Sequence, residues 1–173
     1  MFTFDEAQNL LKLPKKVESN GKLLEKMNLD QSLPFQKRFA LLASDEPDFF
    51  FLYDASQSKK NNFKLSLYIM ENESKIGLLR VDFSGQHQNP EIITDNVPAV
   101  FHPYAGKFFS YDDHHIHYYV EGYRSTLDWA LPLTADSFPI KQIKDASDIV
   151  NAFRSFNEVI HLETEFSIAG SLF

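Results

Sequence analysis

The chain has 173 residues, 43% apolar and 24% charged, with 6 Gly and 8 Pro. That composition excludes disordered, collagenous and linker-like chains and predicts one domain over 1–173. With no cysteine, disulfides, thiolate nucleophiles, zinc fingers and iron–sulfur clusters are excluded too. The formal charge of −7 falls on residues 61–173, which hold eight basic and fifteen acidic side chains against nine of each in residues 1–60. A field of that sign disfavours unaided nucleic-acid binding. It suits a small-molecule or metal site, or a protein partner with a basic surface.

The opening reads as a helix over 3–13. Thr3 and Glu6 form a capping box, Ala7, Leu10 and Leu11 make a narrow apolar stripe, and Pro14 ends it. No basic flank and apolar core of a secretory signal is visible, and no run approaches the ~20 apolar residues of a membrane span. A cytoplasmic protein is expected. Lys15-Lys16 and Ser19-Asn20-Gly21 read as loop and turn.

From residue 35 the apolar period becomes two. Strands are expected from Phe35 to Leu42, Phe49 to Asp54, Phe63 to Met70 and Ile76 to Phe83, separated by short polar breaks such as Ser44-Asp45-Glu46-Pro47-Asp48. Breaks that short favour an antiparallel meander, because a parallel crossover needs about a dozen residues. Residues 84–110 interrupt the rhythm as a long loop, with Gly85, Pro90, Pro98, Pro103 and Gly106. Strand character returns at His114–Val120 and Asp128–Leu133, so the sheet region is 35–133. Ile149, Phe153, Phe156 and Ile160 mark an amphipathic helix over 145–160. A strand follows over 162–168, with Leu162, Phe166 and Ile168 on its apolar face. The fold class is α+β: a curved, meander-type antiparallel sheet with a short N-terminal helix on the outside and a C-terminal amphipathic helix packed on it.

The densest chemistry is in Asp112-Asp113-His114-His115-Ile116-His117-Tyr118-Tyr119-Val120-Glu121. On a strand, His115, His117, Tyr119 and Glu121 share one face, and imidazoles two residues apart stand about 7 Å from each other. That spacing suits two groups flanking one scissile bond, or two ligands of a divalent metal completed by Glu121. An ordinary polar strand face also accounts for it, as a solvated loop accounts for Asp112 and Asp113. Arg80 and Asp82 share a face of the preceding strand, either as a cross-strand ion pair or as an anion-binding fork. His87 in the long loop could approach His115 and His117. Two histidines and an arginine supply the base, acid and charge stabiliser of metal-free phosphodiester cleavage. Trp129 reads as a core aromatic.

Two resemblances follow from these residues. His115, His117 and Glu121 resemble the first metal motif of the cupins, a likeness of about seven residues. It implies a metal-binding barrel, with His161 supplying the last ligand from outside the motif. Over residues 76–133 the series Arg80-Val81-Asp82, Gly85-Gln86-His87-Gln88-Asn89-Pro90, His115-Ile116-His117-Tyr118, Glu121-Gly122-Tyr123 and Trp129-Ala130-Leu131-Pro132-Leu133 resembles a family of uncharacterised small proteins from bacteria and their prophages. The resemblance implies Arg80, Asp82, His87, Asn89, His115, His117, Tyr123 and Trp129 as pattern positions and carries no activity.

Three functions remain open at this point. A hydrolase or nuclease-like domain would use His87, His115, His117 and Arg80 as catalytic residues, with Asp82, Asn89, Tyr119 and Tyr123 binding. A non-enzymatic acidic inhibitor of a phage or mobile element would present its charge to a basic partner. A cupin-like barrel would hold a divalent metal through His115, His117 and Glu121.

Overall fold

Thr3 accepts a hydrogen bond from the Glu6 amide, and the Glu6 carboxylate accepts one from the Thr3 amide, as the Thr-x-x-Glu spacing predicts. The helix α1 so capped spans Phe4–Lys12 and buries Ala7, Leu10 and Leu11. The computed structural model describes residues 2–30, 35–46, 48–58, 60, 63–123 and 127–169, with backbone alone for Asp30, Ile168 and Ala169. Pro47 and the side chain of Ile168, both used in the sequence reading, lie outside the described parts.

Of the residues read as loop and turn, Lys15, Lys16 and Ser19 belong to a strand, and Asn20 and Gly21 form the turn. Strands β1 (Lys15–Ser19) and β2 (Lys22–Leu24) form an antiparallel hairpin closed by Asn20 and Gly21. Both turn residues have positive φ, 52° and 76°, the geometry that a two-residue hairpin turn requires and Asn-Gly supplies. The charged residues of β1 mask its strand character. Strand β3 (Lys26–Asp30) follows.

The expected meander is present as β4 (Gln36–Ala43), β5 (Phe50–Gln57), β6 (Leu65–Glu71) and β7 (Ile76–Phe83). The long connection after β7 contains β8 (His87–Gln88), a 3₁₀ turn at Ala99–Tyr104 and β9 (Phe108–Phe109), with β8 and β9 paired. Strands β10 (His115–Tyr118) and β11 (Trp129–Pro132) complete a sheet of order β11-β10-β7-β6-β5-β4-β1-β2. All its neighbours are antiparallel. The sheet is open: its order ends at β2 and β11, so the cupin-like barrel is not formed. Strand β12 (Glu165–Ala169) instead pairs in parallel with β3, a separate ribbon that the meander pattern does not anticipate.

One face of the sheet is the core. Phe39, Leu41, Phe51, Tyr53, Leu67, Val81 and Ile116 are all at most 4% exposed. The second helix, α2 (Ala146–Val159), starts where Asp145 accepts hydrogen bonds from the Ser147 and Asp148 amides. It lays Phe153 and Phe156 against Tyr53, with ring centroids 5.8 and 5.2 Å away. The opposite face carries two polar rows beside apolar ones, and the polar rows hold the chemistry.

Candidate functional site

Side chains alternate across a strand, so residues in register line up as rows on one face. Here two polar rows cross five strands. One runs Gln36, Ser56, Ser66, Asp82, His115; the other runs Arg38, Asp54, Tyr68, Arg80, His117. Gln36 and Arg38 are exposed, whereas His115 and His117 are 0% exposed. The difference comes from the long connection, which folds over the β10 end. The Phe109 ring lies 4.8 Å from that of His115, and the His87 ring lies 4.4 Å from His117 and 5.9 Å from His115.

Asn89 pins this cover to the sheet. Its Nδ2 donates to Ala130 O and Tyr104 O, and its Oδ1 accepts from Ala130 N. One side-chain amide thus takes the place of a neighbouring strand on the β11 edge. His87 Nε2 stands 3.1 Å from Asn89 Oδ1 and 2.9 Å from Asp128 O. Both partners are acceptors, so that nitrogen carries the proton.

The same logic assigns the other two imidazoles. His115 Nδ1 lies 2.7 Å from Asp113 O, and His117 Nδ1 lies 2.9 Å from Leu127 O. A carbonyl only accepts, so each Nδ1 bears hydrogen and each Nε2 is left as a lone pair. These two Nε2 atoms and an Asp82 carboxylate oxygen lie within 4.8 Å of one another. Asp82 Oδ2 is 3.4 Å from His117 Nε2 and 3.8 Å from His115 Nε2. Arg80 serves two of these acceptors: its Nε donates to Asp82 Oδ2 at 2.7 Å and its Nη2 to His117 Nε2 at 2.9 Å. Among the described residues, the buried His115 Nε2 has no hydrogen-bond partner.

Charge states follow from this packing. Burial lowers His117 to about 3, with Arg80 adding to the fall and contact with Asp82 opposing it. Burial also lowers His115 and His87 below their ordinary value. All three rings are therefore neutral near pH 7. Burial would raise Asp82, but contact with His117, the Arg80 guanidinium and the Ser66 hydroxyl overrule it and hold the carboxyl well below the usual range. Ser66 Oγ donates to Asp82 Oδ1 at 2.6 Å. Because the His117 proton sits on Nδ1, Arg80 and Ser66 are the donors that stabilise this carboxylate.

Of the residues singled out from sequence, Arg80, Asp82, His87, Asn89, His115 and His117 come together here. The others do not. Glu121, read as the third ligand, accepts from the Phe4 amide at 2.8 Å and so caps α1. Tyr119 donates to Phe2 O and Tyr123 to Ile92 O. His161 is exposed just past the end of α2. Trp129 is buried in the core, as expected. Ser66 and Tyr68 were not singled out. Their signal was present in the β6 alternation, which places both on the face of Arg80 and Asp82.

An open antiparallel sheet with two helices, carrying a buried imidazole–carboxylate cluster on the face opposite the core, defines the class of protein. The chain belongs to the Family of unknown function (DUF6978), which it matches over residues 2–162. This agrees with the expected membership of an uncharacterised family. Searches of curated proteins and of solved structures return no match. Among the described residues, no helix is long and apolar enough to cross a membrane.

Proposed function

We propose that the chain is a metal-dependent hydrolase whose ion is held by Asp82, His115 and His117. The observation that carries this reading is His115 Nε2: a buried lone pair with no hydrogen-bond partner among the described residues, 3.8 Å from a carboxylate oxygen. Two acceptors facing one another in a dry place are costly. A divalent cation shared with His117 would satisfy all three. The Nδ1–H bonds to Asp113 O and Leu127 O also favour it, since ligating imidazoles are oriented by such outer contacts. Two imidazoles and one carboxylate suit zinc or another first-row divalent ion and leave a position for water, which the bound ion would acidify.

Metal-free acid–base cleavage is less well supported. It needs one imidazolium as the acid, and burial keeps His87, His115 and His117 neutral. At 0% exposure, neither His115 nor His117 reaches a substrate directly. Cobalt(II) titration of the chelator-stripped chain tests the proposal. One equivalent should bind with visible bands of nitrogen–oxygen ligation, Asp82→Asn and His115→Gln should abolish them, and ester hydrolysis should need the metal. Absence of stoichiometric uptake, or uptake indifferent to both substitutions, overturns the reading.

A further inference from the structure

Building on that reading, we infer that Arg80 fills the cation position until a metal arrives and then anchors the oxyanion of a phosphate-bearing substrate. The guanidinium and the ion contend for the same lone pairs. Arg80 Nε and Nη2 engage Asp82 Oδ2 and His117 Nε2 at 2.7 and 2.9 Å. A coordinated ion would stand about 2 Å from those atoms, close against the guanidinium. Two positive charges that near to each other in a half-buried site repel strongly. Metal binding therefore drives the guanidinium off its partners.

The displaced side chain has a place to go. Arg80 is 33% exposed, against 16% for Asp82. It already lines a hollow of about 300 Å³ together with Gln36, Asp54, Ser56, Tyr68 and Leu127. Asp54 does not compete for it, because Arg38 engages that carboxylate through two bonds of 2.6 and 2.7 Å. A freed guanidinium beside the Tyr68 and Ser56 hydroxyls presents a two-pronged donor set with additional O–H donors, the pattern that binds tetrahedral oxyanions. A dianionic phosphate group would lie between the arginine and the ion. The hollow has room for that group and a modest organic portion.

Metal and phosphate binding are then coupled, and the coupling is reciprocal. Cobalt(II) titrations of the chain with and without inorganic phosphate provide the test. In the wild type, phosphate should tighten cobalt binding about tenfold, and cobalt should tighten phosphate binding by the same factor. Arg80→Ala should bind cobalt more tightly than wild type without phosphate, since its competitor is gone, and should ignore phosphate. Arg80→Lys keeps a cation beside Asp82 and guards against a folding defect in the alanine variant. It should bind cobalt as the wild type does but lose most of the phosphate effect, because an ammonium lacks the fork. Cobalt affinity unchanged or weakened in a folded Arg80→Ala, or a phosphate effect equal in all three proteins, overturns the inference and leaves the metal centre standing. Failure of every protein to bind cobalt overturns the metal centre itself.

Discussion

Replacing Lys15 by methionine probes how the two helices are held to the sheet. Lys15 is 0% exposed. Its Nζ donates to Leu10 O, Leu11 O and Leu13 O at the end of α1, at 2.8, 2.9 and 2.7 Å, and to Ile160 O at the end of α2, at 3.0 Å. A cation thus sits where two helix C-termini converge, a favourable place for it. Burial opposes the charge and lowers the amine from 10.5 to about 7. Because the folded value lies below the unfolded one, the unfolded chain binds more protons between those limits, and stability rises with pH across the window. Integrated from pH ~7 to ~9, the gain is about 2 kcal/mol. The four carbonyls favour the ammonium, so that figure is a ceiling. Lys15→Met has no proton to lose and leaves the carbonyls without their donor. It should be about 3 kcal/mol less stable than wild type near pH 9 and closer to it near pH 7. Urea unfolding followed by Trp129 fluorescence at both pH values measures the gap. Parallel pH profiles for the two proteins, or a methionine variant more stable throughout, would refute this account.

Two further substitutions test the cover of the site and the hairpin at the far edge of the sheet. Asn89→Ala removes the two hydrogen bonds that fasten the cover to Ala130 of β11, a third to Tyr104 O within the cover, and the contact with His87 Nε2. It should cost about 3 kcal/mol, speed amide exchange at Ala130 and shift Trp129 emission to the red; an unchanged spectrum and exchange rate would contradict the clamp. Gly21→Ala introduces a Cβ that meets nothing within 4 Å, yet the residue sits at φ 76°. Its cost of about 1 kcal/mol should therefore come from the backbone alone and show as a lower urea midpoint with unchanged slope.

Local spacing made much of this legible. Period-two alternation placed Arg80 with Asp82 and His115 with His117, and both pairs share one face of the sheet. The helix cap at Thr3 was equally readable, since it depends on residues within one turn. What escaped was long-range. Lys15 looked like loop because its charge argues for solvent. Its burial arises only where α1 meets the end of α2, a contact across 145 residues. The third member of the cluster escaped for a related reason. Glu121 lay on the His115–His117 face only if the strand continued, but β10 stops at Tyr118 and the alternation lapses, so the Glu121 carboxylate goes to the Phe4 amide. Asp82 takes the position because β7 lies beside β10, which sets Asp82 opposite His115 and Arg80 opposite His117. No spacing within either strand contains that pairing. The long connection between them could have led to a different neighbour, and a one-residue slip would have turned both imidazoles toward the core.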